Sequence, residues 1–281
     1  MVTQEYEAES RRGTAVAAIP EQANTPSALP LLGSGGLPSA PARRPQRSPH
    51  LLGNVRWWKL LLVTGSLGLA VALYGAAGAR AAVVGSAPSP IVGEGAVTKE
   101  TPLGNLVADA VRNAAKSEKV DAALVPAGSL TETALPEGQV SDEAIRKALA
   151  FPDDRVVAVK LTGEQIKKAL ERSVSLYPKK FLGYLQVSGI TFSFKDGDVP
   201  EGSRVVNVRI AGVPLDLKKE YVVAMPEPLG VMGDHGYKAV WGKPQVVARL
   251  KTTLLDAVVD SVRTQQKLMA KVEDRIKVVK S

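Results

Sequence analysis

The residue types best suited to chemistry are gathered in one glycine-rich segment, Gly233-Asp234-His235-Gly236-Tyr237. Carboxylates, imidazoles and phenols can transfer protons, and the first two also bind metal ions. His235, however, is one of only two histidines, the other being His50, and the chain has no cysteine. A single imidazole without a histidine or cysteine partner does not make a zinc or acid–base site. We therefore predict no catalytic residue, no metal site and no cofactor.

The carboxylates of Asp153 and Asp234 and the ring of Phe151 are candidates for binding a ligand. Asp234 can either contact a ligand or bond the backbone of its own glycine-rich turn. Phe151 begins the turn Phe151-Pro152-Asp153 between a predicted helix and a predicted strand. Its ring can serve either as a stacking surface or as part of the core, and the sequence leaves both interpretations open.

Four motifs follow one another along residues 100–237. They are Glu100-Thr101-Pro102-Leu103-Gly104-Asn105-Leu106-Val107-Ala108-Asp109, Leu161-Thr162-Gly163, Gln186-Val187-Ser188-Gly189 and Gly233-Asp234-His235-Gly236-Tyr237. Together they resemble the C-terminal, substrate-recognising domain of the 5'-nucleotidase and UDP-sugar hydrolase family. In that family a separate N-terminal metallophosphoesterase domain, rich in metal-binding His, Asp and Asn, performs the hydrolysis. We find no counterpart of that domain in the sequence and expect no autonomous hydrolysis.

The resemblance also implies a ligand site. It places Phe151 at one of two phenylalanines that clamp the base, Asp153 in the same turn, and Asp234 at the aspartate that binds the ribose hydroxyls. We expect these residues and Tyr237 to line the site. The stretch from Pro126 to Thr131 lacks the amide and the arginine of the family's Asn-Gly-Gly-Gly-Ile-Arg, and the second phenylalanine falls on Pro228. Binding of a nucleotide or nucleotide sugar is therefore expected to be weak.

Three functions are compatible with these residues. The first is a ligand-binding or protein-interaction module without hydrolysis. The second is the substrate-binding subunit of a hydrolase whose metallophosphoesterase is encoded separately and acts in trans. The third is a scaffold that links an internal partner to the cell envelope.

The composition of the first part of the chain is not that of a folded domain. Residues 1–55 are rich in Pro, Ser, Ala and Gly, and they carry too few large apolar residues to offset the chain entropy of folding. We predict a disordered leader there. The net charge of +8 is divided about equally on either side of residue 90. Such a diffuse excess argues against a nucleic-acid groove, which would concentrate Lys and Arg on one face.

A membrane span is predicted within residues 56–82. The stretch from Leu60 to Ala79 has no charged residue, and as a helix its twenty residues would extend about 30 Å, one hydrocarbon core. Arg56 and Lys59 precede it, so the positive-inside rule predicts a cytoplasmic N-terminus and a periplasmic or extracellular C-terminal domain. Small residues near Ala79 also fit a signal cleavage site, in which case the domain would be secreted.

The remaining sequence predicts a linker over residues 83–95 and one folded domain over 96–281. Thr101 and Pro102 indicate a helix start, and Thr162 with Gln165 forms a capping box for another helix. Buried strands are predicted near 121–125 and 156–161, a hairpin over 184–210, and a final strand over 275–279. The apolar period from about 245 to 269 predicts one long helix. Helices interleaved with a mixed sheet give an α+β fold, an α/β sandwich.

Overall fold

The computed structural model describes residues 81–280. The predicted leader (1–55) and all but the last two residues of the predicted membrane segment (56–82) lie outside this range. Within 81–280, no helix combines the length and the apolar character needed to cross a bilayer.

Three sheets and five α-helices make up the described part of the chain, which confirms a mixed α+β architecture. The strands are β1 (Val83–Ala87), β2 (Ala122–Pro126), β3 (Gly138–Ser141), β4 (Arg155–Thr162), β5 (Leu185–Ser188), β6 (Ile190–Lys195), β7 (Val205–Ile210), β8 (Val213–Pro214), β9 (Glu220–Pro226), β10 (Gln245–Thr253) and β11 (Ile276–Val279). The helices are α1 (Pro102–Ala114), α2 (Asp142–Ala148), α3 (Gly163–Val174), α4 (Lys238–Trp241) and α5 (Leu254–Gln265).

The largest sheet has the strand order β10-β4-β9-β2-β5. Strands β2 and β9 are parallel, and β4 and β5 run antiparallel to them. All five residues of β2 are buried, as its apolar sequence predicts. The second sheet has the order β11-β6-β7-β8, with β11 parallel to β6.

Helix starts are the features that the sequence predicts best. The Thr101 hydroxyl accepts a hydrogen bond from Gly104 N at 3.0 Å at the start of α1. At the start of α3, Thr162 and Gln165 form the predicted reciprocal capping box. Both caps depend on residues within four positions of each other, so local sequence is enough to specify them.

The linker prediction for residues 83–95 is wrong. Val83–Ala87 forms strand β1, which pairs antiparallel with β3. Ile91 is buried and exchanges backbone hydrogen bonds with Leu135. The small and proline residues of this stretch suggested a tether, but tertiary pairing overrides that local signal, and the folded domain includes Val83.

The single helix predicted over 245–269 is also wrong. Residues 245–253 form the edge strand β10, and α5 begins only at Leu254. Thr253 accepts a hydrogen bond from Asp256 N, and the Asp256 carboxylate bonds back to Thr253 N, which fixes that start. The β-branched residues before this cap favour a strand, although their apolar spacing also fits a helix.

Gly189 transfers the chain from the first sheet to the second. The first strand of the hairpin predicted over 184–210 is divided there, with β5 paired to β2 and β6 paired to β7. Gly189 has φ +73°, and a Cβ at this position would collide with the carbonyl oxygen of Asp121. A residue without a side chain is required for both reasons.

Residues of the first motif (100–109), in and just before α1, hold the C-terminal segment 273–276. Glu100 is 5% exposed, and its carboxylate accepts hydrogen bonds from Asn105 Nδ2 (2.6 Å), Glu273 N (2.7 Å) and Ile276 N (3.1 Å). Arg275 forms a bidentate pair with Asp109, at 2.7 Å for each bond. These bonds position β11 beside β6, so part of this motif is structural.

Candidate functional site

The candidate site lies at the edge of the five-stranded sheet where β2 and β9 end and where β4 and β5 begin. This arrangement brings together the segments 126–131, 149–154, 181–184 and 227–237. Backbone bonds join the first three: Gly128 N donates to Leu182 O (2.7 Å), and Ala150 N donates to Ser129 O (3.0 Å). The fourth is joined through the Tyr237 hydroxyl, which donates to Gly183 O (2.7 Å). Ligands of open α/β sheets commonly bind beyond the carboxyl ends of parallel strands.

Phe151 is presented at this edge on a fixed turn. Its side chain is 58% exposed, so it is not part of the core. Asp154 N donates to Phe151 O (3.2 Å), and the first residues of α5, Leu254 and Leu255, donate backbone bonds to Asp154 and Pro152 at 2.8 and 2.9 Å. The backbone of the turn is therefore held in place, and more than half of Phe151 stays exposed.

Asp153 lies in the same turn and points to solvent. Its side chain is 80% exposed and lies 3.5 Å from Arg146 Nη1. An ion pair as exposed as this contributes little stability. Both groups are thus available to a ligand at little energetic cost.

The segment carrying Asp234 is a tight turn of unusual backbone conformation. Gly233 (φ +71°), His235 (φ +58°) and Gly236 (φ +87°) all lie in the left-handed region. Arg172 holds the turn from outside, donating Nε and Nη2 to His235 O at 3.1 and 3.0 Å. Asp234 itself is exposed, and no hydrogen bond within residues 81–280 uses its carboxylate.

Tyr237 lies behind this turn and not on the surface expected to face a ligand. It is fully buried, stacks on Trp241 with ring centroids 5.0 Å apart, and donates its hydroxyl to Gly183 O at 2.7 Å. Burial raises the pKa of Tyr237 well above its usual range, so the phenol stays protonated. Its role is to position the turn and the 181–184 loop.

Comparison with known proteins identifies this domain. The family model for the 5'-nucleotidase, C-terminal domain, matches residues 83–240, more than half of the chain. The chain belongs to this family. The 5'-nucleotidase C-terminal domain therefore begins within the stretch that the sequence suggested as a linker.

Two relatives illustrate the similarity of this 5'-nucleotidase C-terminal domain. The trifunctional nucleotide phosphoesterase protein YfkN of Bacillus subtilis (strain 168) is 32% identical over 145 residues, which are 50% of this chain and 10% of that protein. The 5'-nucleotidase precursor from Thermus thermophilus is 26% identical with a TM-score of 0.64, covering 77% of this chain and 42% of that one.

A third relative shares the fold at lower identity. The NAD nucleotidase NadN of Haemophilus influenzae is 18% identical with a TM-score of 0.61, covering 71% of this chain and 38% of that one. The chain thus spans about a tenth of the curated relative and less than half of these solved structures.

The turn that follows β2 departs from the nucleotide-binding sequence of the family. Residues 127–129 form a short 3₁₀ turn, and Ser129 is buried. The Thr131 hydroxyl donates to Lys147 O at 2.8 Å. The resemblance predicts Thr131 at the position of an arginine of the family, and the Thr131 side chain is committed to the fold.

Four carboxylates lie near one another at the site of this 5'-nucleotidase C-terminal domain. Burial raises the pKa of Asp154, and the negative charges of Asp234, Glu227 and Asp153 raise it further. Asp153 is paired with Arg146 and Glu227 with Arg249. Asp154 and Asp234 form no ion pair within residues 81–280, so additional negative charge beside these two carboxylates is disfavoured.

His235 packs against Gly128 in the turn that follows β2. Its ring meets Phe181 edge-on with centroids 6.3 Å apart, and a Cβ at Gly128 would lie 3.3 Å from His235 Nε2. Among residues 81–280, no group of three His, Cys, Asp or Glu side chains has the geometry to hold a metal ion.

Two residues of the site are missing from the sequence prediction, Arg172 and Phe181. The Arg172 guanidinium lies 4.5 Å from the centroid of the Phe181 ring and also holds the His235 turn. Phe181 carries a weak signal, since it is an aromatic residue in a predicted loop. Arg172 carries none, because its sequence context is that of one more cation on the outer face of α3.

Proposed function

We propose that this chain is a membrane-anchored, exported 5'-nucleotidase C-terminal-like module that binds a nucleoside-type ligand weakly and does not hydrolyse it alone. Membership of the family supports a nucleotidase-type substrate-binding role. The observations that carry the proposal are the exposed ring of Phe151 and the exposed carboxylate of Asp234, which lie on two turns at the same edge of the five-stranded sheet. Such a pair can stack on a base and accept hydrogen bonds from sugar hydroxyls.

The strength of binding follows from the small number of contacts. Stacking on one aromatic face contributes roughly 1–3 kcal/mol, and a hydrogen bond to a charged group about 1.5–3 kcal/mol. A total of about 4 kcal/mol corresponds to a dissociation constant of about 1 mM. The carboxylates around Asp154 favour an uncharged nucleoside over a nucleotide.

The ligand test is saturation-transfer NMR with adenosine, uridine, AMP and UDP-glucose at about millimolar concentration, the affinity range expected above. Phe151→Ala and Asp234→Asn should lose the nucleoside signal. Leu182→Ala is the matched control, because Leu182 is an exposed apolar residue of the same edge (59%) outside the proposed contacts. Tighter binding of AMP than of adenosine, or full binding by Phe151→Ala, would contradict the proposal.

The chain matches the C-terminal domain of the family. This match supports the proposal that the chain does not hydrolyse a substrate alone. The test is phosphate release from AMP and UDP-glucose by the purified full chain with manganese or cobalt. We expect no turnover above background. Turnover that co-purifies with the chain and is lost in Asp234→Asn would refute this part of the proposal.

Anchoring and export rest on the sequence of residues 56–82. The uncharged stretch ends at Ala79, only a few residues before β1 begins at Val83. We expect the full chain to resist carbonate extraction from membranes and its C-terminus to be digested by protease added to spheroplasts. Deletion of 56–82 should abolish both properties. A chain released by carbonate in full would exclude a span.

A second candidate is a substrate-binding subunit for a separate metallophosphoesterase. It is favoured by large apolar side chains exposed at the site edge, Phe151, Leu182 and Met232 (62%). Co-elution with a separately expressed metallophosphoesterase domain, together with AMP hydrolysis that requires both chains, would support it. Leu182→Glu and Met232→Glu should then prevent co-elution, and Val213→Glu, at an exposed apolar position of β8, should not.

A further inference from the structure

A cleft of about 1200 Å³ lies outside the candidate site, along the outer face of α3. The floor is the row of α3 side chains that point away from the core, from Glu164 to Arg172, continued by Leu176. The walls come from the loop 199–204, from Leu217 and Lys218, and from the segment 236–240. Of the described residues that line the cleft, Gly236 belongs to the Asp234 turn and Arg172 is hydrogen-bonded to it.

The cleft carries an excess of uncompensated positive charge. Lys167 and Lys218 form no ion pair with any carboxylate of residues 81–280. Arg172 donates to neutral oxygens, those of His235 and Ser175. A negatively charged ligand could therefore pair with these cations without breaking an existing ion pair.

The carboxylates that line the same cleft are mostly engaged. Glu164 is paired with Lys168 at 2.8 Å. Glu171 accepts hydrogen bonds from Arg204 N (3.0 Å) and Val205 N (2.9 Å), which fixes it against the wall. Glu201 is the third lining carboxylate and forms no ion pair within residues 81–280. Five cations against three carboxylates leave the lining of the cleft with a net charge of +2.

Apolar groups line the cleft together with the cations. Leu176 and Leu217 are exposed large apolar residues, and Val199 and Val240 line the same space. A lining that mixes apolar and cationic groups matches a peptide that carries both acidic and apolar side chains. The α3 floor from Glu164 to Leu176 extends about 18 Å, which accommodates an extended peptide of about five or six residues.

Other classes of ligand fit this cleft less well. Metabolite sites are enclosed and have polar groups that converge on one point, whereas here the cations are spread over α3 and the walls of the cleft. Among residues 81–280, none that lines the cleft is aromatic, so these residues offer a nucleic acid no ring on which to stack its bases. The concave shape between three walls also does not present a flat face to a bilayer.

We propose that this cleft binds an acidic, extended peptide segment of a partner protein. Lys167, Lys218 and Arg172 supply the charge complementarity, and Leu176 and Leu217 supply the apolar contacts. Arg172 also supports the Asp234 turn, so charge reversal in the cleft is confined to Lys167 and Lys218, which lie outside the nucleoside site, and either proposal can then fail without the other.

The test uses the purified full chain and a fluorescent octapeptide that alternates acidic residues with leucine and valine. Its matched probe replaces every acid by the corresponding amide. We expect saturable binding of the acidic probe in fluorescence anisotropy, weakened by salt as exposed ion pairs are, and at least tenfold weaker binding of the amide probe. Equal binding of the two probes would overturn the proposal.

Charge reversal locates the site. Lys167→Glu with Lys218→Glu should weaken the acidic probe by about tenfold, whereas Lys116→Glu with Lys251→Glu changes the net charge equally at exposed positions outside the cleft and should leave binding intact. Unchanged melting temperatures establish that both variants fold. Equal losses in the two double variants, or a uridine octanucleotide that binds more tightly than the peptide, would overturn the proposal.

Discussion

Arg172 on α3 donates two hydrogen bonds to the carbonyl oxygen of His235, 63 residues further along the chain, at 3.1 and 3.0 Å. The same guanidinium covers one face of Phe181 at 4.5 Å from the ring centroid. Arg172 thus connects a helix, the loop before β5 and the turn that carries Asp234. The left-handed backbone of His235 is energetically unfavourable for a residue with a side chain, and these bonds offset part of that cost.

Replacing Arg172 by alanine should destabilise the fold by about 1–3 kcal/mol, since two bonds to a partly buried charged donor are lost. Chemical denaturation measures this change. Amide hydrogen exchange should rise in 233–237 more than in β2, because the turn loses its external support. Lys168→Ala is the control: its exposed pair with Glu164 should contribute less than about 1 kcal/mol. Uniformly faster exchange would mean that Arg172 does not act on this turn in particular.

Asp154 should make stability depend on pH. Burial first, and then the charges of Asp234, Glu227 and Asp153, raise its pKa above the ordinary 3.8. The folded state therefore binds this proton more tightly than the unfolded state, so the stabilisation is fully present below pH 3.8 and is lost as pH rises through the raised value.

Asp154→Asn should remove this loss and make the folded state more stable than wild type at neutral pH. The backbone bond from Leu254 N to Asp154 O does not depend on the side chain, so the fold should persist. Urea denaturation from acid to neutral pH gives the two curves, with Asp198→Asn, at an exposed loop position, as control. Parallel curves for wild type and Asp154→Asn would show that Asp154 does not titrate as described.

Local chemistry explains which elements the sequence could predict. The caps at Thr101 and at Thr162 with Gln165 lie within four residues of their partners, and β2 is apolar throughout. The motif order predicted the family, and the family model confirms it. Phe151 was predicted as a site residue from the same resemblance, and the structure adds that its ring is exposed.

Non-local contacts explain what the sequence could not predict. The stretch 245–253 has apolar spacing that fits a helix and a strand equally, and only its pairing with β4 decides. Tyr237 follows Asp234 by three residues, yet it is buried, because its hydroxyl reaches Gly183 across the fold. The contact between Arg172 and His235 exists only once α3 and the turn are assembled.

Glu100→Gln should be among the most destabilising conservative substitutions in the domain. The carboxylate accepts from Glu273 N, Ile276 N and Asn105 Nδ2, and an amide in its place presents an NH₂ group to one of these donors. An unsatisfied buried donor costs about 1–3 kcal/mol. Glu143→Gln, which breaks only an exposed pair with Lys147, should cost less than about 1 kcal/mol. Equal denaturation midpoints for the two variants would show that Glu100 does not hold the C-terminal segment.

Gly189 and Gly202 allow backbone strain to be separated from steric collision. Both have positive φ, +73° and +76°. A Cβ at Gly202 meets no atom within 4 Å, whereas at Gly189 it collides with Asp121 O. Gly202→Ala should therefore lower the free energy of unfolding only by the cost of a left-handed backbone for a residue with a side chain, about 1–2 kcal/mol. Gly189→Ala should cost clearly more, because β2 and β5 must also separate at the point where the chain changes sheets. Thermal denaturation of the two variants measures the difference, and similar melting temperatures would mean that the sheet edge moves aside without cost.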